Sequence, residues 1–589
     1  MSALIAYSDA GHLLALVTAH SIARGDTKAA GGTATSLAPA DTVAQLLRAG
    51  VEVGGSTSEE SKGSDTPVSM DVDPAASMNG LRAVTARELD GWIARTLQPS
   101  PEFSMQVKGT VWQICEFLKR KCFEHNIHVQ KTVKGGSAGK GTALKNNSDA
   151  DVVLFLSCLS SYEDQKNKRK EILDLIMIKL RDCRESLQFD VCIGEPRYKG
   201  PGSTPRSLSL TLSSWETRES IDVDILPAYD ALGQVTQDAP PNPEVYVRLL
   251  DACRDPGEFS PCFTELQKMF VKHYPAKLKD LLRLVKYWYK ELNLQDPNAH
   301  LPPKYALELL TIYAWEEGTG SSCSFDMAQG FRTVLELLGR HQDICIYWEK
   351  YYSLQHRGIG AHVKGLLRSP RPVILDPADP TGILGQDKNW NLMAQAAAIY
   401  CRSLPCLANV QPWNVQPARP VTIEVMQLSG TRLTQRVSPY TTIGQLKDMI
   451  HQKWGISPYA QRLAQQEPGR NNITLQDSDT LATHGIFYNT TLALLQTQRM
   501  QVLVKDDKNR TTTYTVLPTD TVRQLKEQIQ ARQGPSANEQ RLTYGSRELQ
   551  DQHTLEHYDV RPMSTIYMLL RLRGGAGPQL PQLPACLPS

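Results

Sequence analysis

The chain is predicted to be an α+β protein in which a mixed region of helices and strands precedes two smaller β-rich repeats. Between about residues 86 and 416, long amphipathic helices alternate with short apolar strands. After a proline-rich linker at 411–420, alternating β-branched residues begin, and the same order of strands and helix then occurs twice. A chain of 589 residues is also too long for one hydrophobic core, so several domains are expected.

The overall composition excludes two broad classes of protein. Lys plus Arg number 64 and Asp plus Glu number 62, so the net charge of +2 argues against a wholly electrostatic nucleic-acid binder, and any basic surface must be local. No apolar run approaches the roughly 18 residues of a membrane-spanning helix, so no membrane partner is expected. The 12 cysteines lack paired C-x-x-C spacing, which indicates reduced thiols in a cytoplasmic, or also nuclear, protein.

Both ends of the chain are predicted to be disordered. Residues 1–83 are rich in Ala, Gly, Ser, Thr and Asp and poor in large apolar residues, so they cannot offset the entropy lost on ordering. A short tail at 576–589 is predicted to be disordered as well. The folded domains are therefore expected between residues 84 and 575.

The mixed region contains one helix with two distinct faces. Residues Lys277–Lys290 place apolar side chains on one face and cations on the other. The apolar face comprises Leu278, Leu281, Leu282, Val285 and Trp288, and the cationic face comprises Lys279, Arg283, Lys286 and Lys290. Strands are predicted at Val152–Leu156, after a polar loop, and at Ile221–Leu226, where carboxylates alternate.

Two segments of roughly 75 residues repeat the same order of elements: strand, hairpin, strand, helix, Q-R-L strand, acidic turn and final strand. The first strands align at Thr422–Met426 and Gln501–Lys505, and the helices align at Thr442–Trp454 and Thr521–Gln533. The region after the linker is therefore a tandem internal repeat, with units at 421–497 and 499–575.

The segment from Lys134 to Leu156 carries the clearest chemical signal, K-G-G-S-A-G-K-G-T-A-L-K-N-N-S-D-A-D-V-V-L-F-L. It lacks the spacing of a phosphate-binding P-loop, because Gly141 rather than Ser or Thr follows Lys140. A Gly-Gly-Ser turn instead precedes Asp149 and Asp151 at the start of an apolar strand. Residues two apart on a strand point to the same side, so these two carboxylates can converge on one cation.

A site for two magnesium ions needs a third carboxylate, and Asp224 in I-D-V-D-I-L-P is the best candidate. Asp222 lies on the same strand face and remains an alternative. Two ions about 4 Å apart would activate an attacking hydroxyl and steady the leaving pyrophosphate. An Asp-x-Asp pair alone is more often a solvated strand edge. Together with the G-G-S turn and a third acidic strand, however, the pattern is that of the DNA polymerase β-like nucleotidyltransferases.

Longer strings extend this pattern to a known family. They include D-I-L-P-A-Y-D-A-L-G at Asp224–Gly233, L-P-P-K-Y-A-L-E-L-L-T-I-Y-A-W-E at Leu301–Glu316, R-P-V-I-L-D-P-A-D-P-T at Arg371–Thr381, R-L-V-K-Y-W-Y and C-F-T-E-L-Q. On these strings the chain resembles the vertebrate 2′-5′-oligoadenylate synthetases, specifically the oligoadenylate synthetase-like proteins that carry two ubiquitin-like domains. The resemblance covers 84–575 and implies a polymerase β-like core with a helical C-terminal lobe at 84–416.

The resemblance implies an enzyme of interferon-type antiviral innate immunity that polymerises ATP into 2′-5′-linked oligoadenylate, with pyrophosphate release, once double-stranded RNA has bound. Asp149, Asp151 and Asp224 would be the catalytic carboxylates that hold two Mg²⁺ ions. Nucleotide contacts are implied for Ser137 and Lys140 at the donor triphosphate, for Arg283 and Lys286, and for Tyr305 near the bases. Lys304 departs from the usual Gln, so a cation there could strengthen a phosphate contact or disturb recognition of the acceptor adenine.

The resemblance also implies a basic face for double-stranded RNA, comprising Lys119, Lys134, Lys268, Lys272 and Lys277. An A-form duplex presents phosphates and 2′-hydroxyls across a shallow minor groove, so a row of cations can recognise its shape. A single lysine is more often a solvated surface residue, and only their joint placement favours RNA. Duplex binding is expected to draw the N-terminal helix and its neighbour toward Asp149 and Asp151. Because Cys406-Leu407-Ala408 replaces the C-F-K of oligomerising relatives, a monomer is expected.

The second repeat resembles ubiquitin in M-Q-V-L-V-K, L-P-T-D-T-V, N-E-Q-R-L-T-Y-G and L-L-R-L-R-G-G, which implies two β-grasp ubiquitin-like domains. The three positions of ubiquitin's apolar contact patch read Asp507, Thr543 and Leu569, so ordinary ubiquitin receptors are expected to bind weakly. Arg547 stands at the position of a chain-forming lysine, and further residues follow Gly575. The tail is therefore expected to be a docking module that is not conjugated, and its implied partner is an antiviral sensor or a ubiquitin-pathway protein.

A second hypothesis belongs to a different class: a catalytically silent scaffold that binds RNA through the same basic face and uses its ubiquitin-like domains to enhance antiviral sensor signalling. The intact carboxylates favour the enzyme. A cyclic-dinucleotide synthase on the same fold would show a zinc-binding insertion of His and clustered Cys, and the sequence has none.

Overall fold

The computed structural model describes residues 80–570 except 122, 124–126, 146–147, 187–190, 200–204, 217–218, 237–238, 466–472 and 533. The chain divides into two compact units between Arg419 and Pro420, inside the predicted linker. The disorder predicted for the arm up to residue 79 and for the tail, as well as Gly575, lies outside the described residues. Leu81 is buried, so the folded unit begins before the expected boundary at residue 84.

A mixed sheet organises the first part of the first unit. Its strands are β1 (Val129–Lys134), β2 (Ser148–Leu156), β3 (Val191–Ile193), β4 (Arg197–Lys199), β5 (Ser207–Ser214) and β6 (Ser220–Ala228). They lie in the order β1-β2-β6-β5-β3, and β4 also pairs with β5. Strands β2 and β6 are parallel, so the beginnings of these two central strands lie at the same edge of the sheet.

Four helices accompany this sheet: α1 (Leu89–Thr96), α2 (Pro101–Lys121), α3 (Gly136–Lys140) and α4 (Tyr162–Ser186). The buried apolar residues of α2 are spaced three or four apart and form one face; they include Phe103, Val107, Val111, Ile114 and Leu118. This face shares one hydrophobic core with α4 and the apolar residues of the central strands. Because this core holds the central strands in place, it also positions the end of the sheet at which the acidic residues lie.

The second part of the first unit is mainly helical. Its elements are α5 (Pro243–Ala252), α6 (Thr264–Lys272), α7 (Ala276–Gln295), α8 (Lys304–Thr319), α9 (Met327–Gly339), β7 (Cys345–Ile346), α10 (Arg357–Leu367), β8 (Val373–Ile374) and α11 (Trp390–Ser403). Helix α7 confirms the predicted apolar face, because every residue named for that face is buried. Its cationic face is less exposed than expected, since Lys286 is buried as well. Within the described residues, no helix is both long and apolar enough to cross a membrane.

The second unit consists of two copies of one β-grasp topology. The first copy contains β9 (Val421–Gln427), β10 (Arg432–Val437), α12 (Ile443–Trp454), β11 (Gln461–Gln465), β12 (Ile473–Thr474) and β13 (Thr490–Gln496). The second contains β14 (Met500–Lys505), β15 (Thr511–Val516), α13 (Val522–Ala531), β16 (Gln540–Tyr544), β17 (Arg547–Glu548) and β18 (Thr565–Leu570). The strand orders β10-β9-β13-β11-β12 and β15-β14-β18-β16-β17 are equivalent, which confirms the tandem repeat.

The helices of both repeats begin with the same local signal. Thr442 and Thr521 each accept a hydrogen bond from the backbone N–H three residues later, where a glutamine side chain returns the bond. Behind each helix lies a separate apolar core. An ion pair of 2.6 Å between Arg462 of the first repeat and Glu556 of the second joins the two copies.

The second repeat keeps an exposed apolar strip despite the polar residues predicted at its contact positions. Asp507 and Arg547 are exposed and Thr543 is half-buried. Tyr567 and Leu569 alternate along β18 and are 48% and 47% exposed. Because Tyr567 lies opposite Thr543 in the sheet, an aromatic ring stands beside the position that has become polar.

Candidate functional site

The two central strands bring the predicted carboxylates into register. Asp149 pairs with Asp222 and Asp151 pairs with Asp224 across the parallel β2–β6 ladder. Asp151 and Asp224 are buried, whereas Asp149 is half-buried. The apolar run that follows in β2 occupies the middle of the sheet, so the acidic residues fall at its edge. Two acidic pairs thus lie side by side, as the sequence predicts.

Asp224 and the alternative, Asp222, have different surroundings. Burial raises the pKa of the Asp224 carboxyl; the charge of Asp151 acts in the same direction, and Lys199 opposes it. Asp222 accepts a hydrogen bond of 2.6 Å from Thr211 and lies partly exposed. The closeness of Asp224 to Asp151 favours Asp224 as the third carboxylate.

A lysine absent from the sequence-based site contacts this third carboxylate. The Lys199 ammonium lies 3.0 Å from Oδ1 of Asp224 and 3.2 Å from Oδ2. Among the described residues, no three His, Cys, Asp or Glu side chains are arranged as a set that could hold a metal ion. The strand register brings Asp151 beside Asp224, and the binding of magnesium by the three carboxylates stays a prediction. The Lys199 ammonium therefore contacts the carboxylate that was predicted to hold a metal ion.

The glycine-rich turn folds directly against the acidic strand. The Gly135 N–H donates to the Asp151 carbonyl at 2.7 Å, and the Ser137 hydroxyl donates to the Asp149 carbonyl at 2.9 Å. Gly136 has a φ of 62°, and a Cβ there would lie 2.9 Å from the Asp151 nitrogen. Only glycine fits this approach. Ser137 was expected to bind the donor triphosphate. Its side chain is buried, and its hydroxyl is hydrogen-bonded to the acidic strand.

Behind the turn, Lys140, Lys286 and Glu308 form what we term the buried charge cluster. The Glu308 carboxylate lies 3.3 Å from Lys140 and 3.6 Å from Lys286, and all three side chains are buried. Burial alone would raise the pKa of Glu308, but the two lysine charges prevail and hold that pKa below its usual range. Lys286 also donates to the Thr142 hydroxyl at 2.8 Å. The predicted nucleotide contacts of Lys140 and Lys286 are thus occupied by protein partners.

Tyr305 is not placed where a nucleobase could stack on it. Its ring is completely buried, its hydroxyl donates to Asp376 at 3.1 Å, and the Lys140 ammonium lies 4.2 Å from the ring centre. A buried ring has no open face for a base in this conformation, and the role of Tyr305 near the bases stays a prediction. Tyr305 instead supports the buried charge cluster.

Lys304 and Arg283 lie on opposite sides of the same loop. Lys304 lines a small cavity of about 20 Å³ with Ser137, Asp149 and Lys286, which has room for a water molecule but not for a nucleotide. Arg283 donates to the carbonyls of Gly141 and Ala143 at 2.7 and 2.9 Å. Arg283 thereby holds the loop that closes this cavity.

The predicted RNA-binding lysines separate into two groups. Lys134, Lys268 and Lys272 line one cavity of about 690 Å³, which we term the basic cavity. Lys119 does not line it and pairs with Glu116 at 3.0 Å. Lys277 pairs with Asp90 of α1 at 3.2 Å and also lies outside the cavity. The structure therefore brings together three of the five predicted positions.

Three residues that contact predicted site residues carry no signal in the sequence: Lys199, Glu308 and Asp376. Glu308 lies inside the quoted string L-E-L-L, yet nothing in its local pattern shows that two lysines from distant elements surround it. Lys199 carries no sequence signal, because only the pairing of β4 with β5 brings it to Asp224.

Fold and site together define a nucleotidyltransferase core followed by two ubiquitin-like domains. Residues 114–188 match the family described as "Nucleotidyltransferase domain", and residues 239–418 match "2'-5'-oligoadenylate synthetase 1, domain 2, C-terminus". Residues 420–490 match "Ubiquitin-like domain" and residues 502–573 match "Ubiquitin family". These ranges follow the two units seen in the fold.

Curated relatives match most or part of the chain. The 2'-5'-oligoadenylate synthase-like protein 2 of Mus musculus is 40% identical over 83% of this chain and 98% of its own length. The 2'-5'-oligoadenylate synthase-like protein 1 of Rattus norvegicus is 39% identical over 85% and 99%. The 2'-5'-oligoadenylate synthase 1A of Mus musculus is 43% identical over 60% of this chain and 98% of its own length. The chain belongs to the 2'-5'-oligoadenylate synthase-like family.

Proposed function

We propose that the protein is a double-stranded RNA-activated 2′-5′-oligoadenylate synthetase, which polymerises ATP with release of pyrophosphate in antiviral innate immunity. The observation that carries this proposal is the register of β2 and β6, which places Asp151 beside Asp224 at the edge of the sheet, backed by the Gly135-Gly136 turn. Family membership supports the same reaction class.

The acidic residues have suitable chemistry for magnesium. Carboxylate oxygens are ligands that Mg²⁺ prefers, and Asp149, Asp151 and Asp224 would supply them. Bound there, magnesium would offset the triphosphate charge and activate a ribose hydroxyl. The Lys199 ammonium already forms an ion pair with Asp224, so the Lys199 side chain must move away before a metal ion can bind there. Lys304 shares a cavity with Asp149 and is the residue best placed to meet a phosphate of the second nucleotide.

RNA activation has a physical route through the connection between α1 and α2. Gln98 in this connection donates to Asp280 at 2.8 Å, and Asp280 accepts from Arg283 at 2.7 Å. Arg283 in turn holds the carbonyl of Gly141. Duplex bound near Lys134, Lys268 and Lys272 would move α2 and, through these contacts, the loop that closes the small cavity. The closed cavity represents the resting state in this proposal.

The test uses the full chain with ATP and magnesium, with and without duplex RNA, and analyses the products for 2′-5′ linkage. We expect product only with duplex. Asp224→Ala should abolish synthesis, whereas Asp222→Ala, at the competing position on the same strand, should retain it. Equal synthesis without RNA would refute activation, and an active Asp224→Ala variant would refute the assigned site.

A second candidate is a catalytically silent scaffold that binds RNA and acts through its ubiquitin-like domains. Two observations favour it: the small cavity has no room for a nucleotide, and the Lys199 ammonium forms an ion pair with Asp224. The exposed Tyr567 and Leu569 offer a docking surface for an antiviral sensor or a ubiquitin-pathway protein. Tight duplex binding without product in the same assay would select this function. In either case we propose a monomer in the cytoplasm, or also in the nucleus.

A further inference from the structure

The basic cavity has a composition that RNA binding alone does not explain. It lies between α2 on one side and α6 and α7 on the other, with α3 as part of its wall. Its volume of about 690 Å³ falls within the range of small-molecule sites, about 300–1,000 Å³. Part of its lining is apolar and comes from α2, through Phe103, Val107 and Val111.

Cations dominate the polar part of the lining. Asp151 is the single acidic residue among the described lining residues, whereas the cations are Lys108, Lys134, Lys140, Lys268, Lys272, Lys279 and Arg283. Across the described part of the chain, Lys108, Lys134, Lys268 and Lys272 form no ion pair within 4.0 Å. Such a concentration of uncompensated charge creates a positive potential inside a walled space.

The cations also repel one another. Burial lowers the pKa of Lys268, and the charges of Lys272 and Lys134 lower it further. The Lys279 ammonium, which has no carboxylate partner among the described residues, donates to the backbone carbonyl of Lys272 at 2.5 Å. An anion held between these groups would remove the repulsion, so the arrangement is suited to a ligand with several negative charges close together.

The depth of the site distinguishes a small anion from a duplex. Lys108 and Lys272 are exposed at the rim, whereas Lys268 and Lys279 are half-buried, and the Arg283 side chain is only 13% exposed. A rigid double helix can touch the rim, but it is too wide to enter a cavity of this size. A compact polyphosphate can reach both the exposed lysines at the rim and the less exposed cations inside the cavity.

We propose that the basic cavity binds a compact polyphosphate anion, free in solution. The cavity borders the proposed magnesium site through Asp151, but Asp149 and Lys304 do not line it. Helix α3 borders both cavities: Ala138 and Gly139 line the basic cavity, whereas Ser137 lines the small cavity with Asp149 and Lys304. Lys134, Lys268 and Lys272 line the cavity and also belong to the proposed RNA face, so polyphosphate and duplex compete. A bound polyphosphate also contacts α3, which holds the acidic strand.

The experiment measures binding of inorganic tripolyphosphate to the full chain by calorimetry in EDTA, which removes the metal that an ATP site would need. We expect one bound anion per chain and weaker binding at higher salt. Lys279→Gln and Lys272→Gln should each weaken binding about tenfold or more, because each removes a charge-assisted contact. Unchanged thermal unfolding of both variants would show that they remain folded.

Two matched controls locate the site. Lys277→Gln alters the same helix two residues from Lys279, but outside the cavity, and should bind tripolyphosphate normally. Lys304→Gln alters the small cavity and should also bind normally. Loss of binding in Lys304→Gln would place the anion at the proposed ATP site and overturn the proposal.

Other outcomes are equally decisive. Similar small losses in all four variants would indicate diffuse screening rather than a site, which overturns the proposal. Binding of duplex RNA that depends on Lys272 and Lys279, without binding of tripolyphosphate, would mean that the cavity serves RNA alone. Displacement of bound tripolyphosphate by duplex, with both ligands sensitive to Lys272→Gln, is the result that supports the inference.

Discussion

Replacing Glu308 by glutamine tests whether the buried charge cluster is held by a single carboxylate. The side chain is 1% exposed and lies 3.3 Å from Lys140 and 3.6 Å from Lys286. Glutamine keeps the shape but removes the charge that faces both ammonium groups. The variant therefore leaves two lysines buried without an opposing charge near them.

The expected loss is large. Removing one partner of a buried ion pair destabilises a protein by about 3–5 kcal/mol. Natural domains are stable by only about 5–15 kcal/mol, so Glu308→Gln should bring the first unit close to its unfolding limit. The matched control is Glu336→Gln, because Glu336 pairs with Arg332 at 2.8 Å on the surface. Such an exposed pair contributes about 0–1 kcal/mol.

Urea unfolding followed by tryptophan fluorescence measures both variants across pH. In the wild type the lowered pKa of Glu308 means that its contribution is present above the ordinary glutamate pKa and is lost as pH falls through the folded value. In Glu308→Gln the pKa of folded Lys286 lies below its unfolded value, because burial already lowers that pKa in the wild type. The variant should therefore regain stability as pH rises toward about 10, where unfolded lysine titrates.

Two results would refute this reasoning. One is a loss in Glu308→Gln no greater than in Glu336→Gln. The other is a loss of the expected size that does not shrink at high pH, since that would point to packing rather than to unpaired lysines.

Three further predictions follow from the site. Gly136→Ala should abolish synthesis and destabilise the turn by about 1–3 kcal/mol, because φ is 62° and a Cβ would lie 2.9 Å from the Asp151 nitrogen; a variant with normal synthesis and urea midpoint would contradict this. Lys199→Met should lower the magnesium concentration that gives half-maximal synthesis, because it removes the ammonium group that competes with Mg²⁺ for Asp224. An unchanged or higher magnesium concentration would show that Lys199 does not compete. Burial, aided by Asp379, raises the pKa of Asp376 to about 7, so the folded state favours the protonated acid. Stability should then fall as pH rises from about 4 to 7, by up to about 4 kcal/mol, and urea midpoints at pH 5 and 8 should differ less in Asp376→Asn than in the wild type.

Much of the architecture follows from patterns within single segments. The apolar spacing of Lys277–Lys290 predicts α7, and its named apolar residues are all buried. The repeated strings after Pro420 predict two domains of one topology, because each segment forms its own sheet and core. These features depend on periodicity and on short-range signals, both of which can be read along the chain.

The candidate site could be predicted only in part. The spacing of Asp149 and Asp151 indicates that they share a strand face, and the structure pairs that strand with the one carrying Asp224. The burial of Tyr305 and the occupation of Lys140 by Glu308 could not be read from the same strings. A motif gives the residue types at a site, but whether a side chain is open to a ligand depends on helices that pack over it from elsewhere.

Taken alone, the amino-acid order determines the β-grasp pair, the acidic strands and the glycine turn, since each rests on contacts between neighbours in sequence or on a backbone conformation that only glycine adopts. The tertiary structure alone decides that Lys199 reaches Asp224, that one carboxylate pairs with two buried lysines, and that cations from five elements line one cavity. The physical reason is that electrostatic energies depend on distance and burial in three dimensions. Residues separated by more than a hundred positions, such as Lys140 and Glu308, acquire their chemistry only when the fold brings them together.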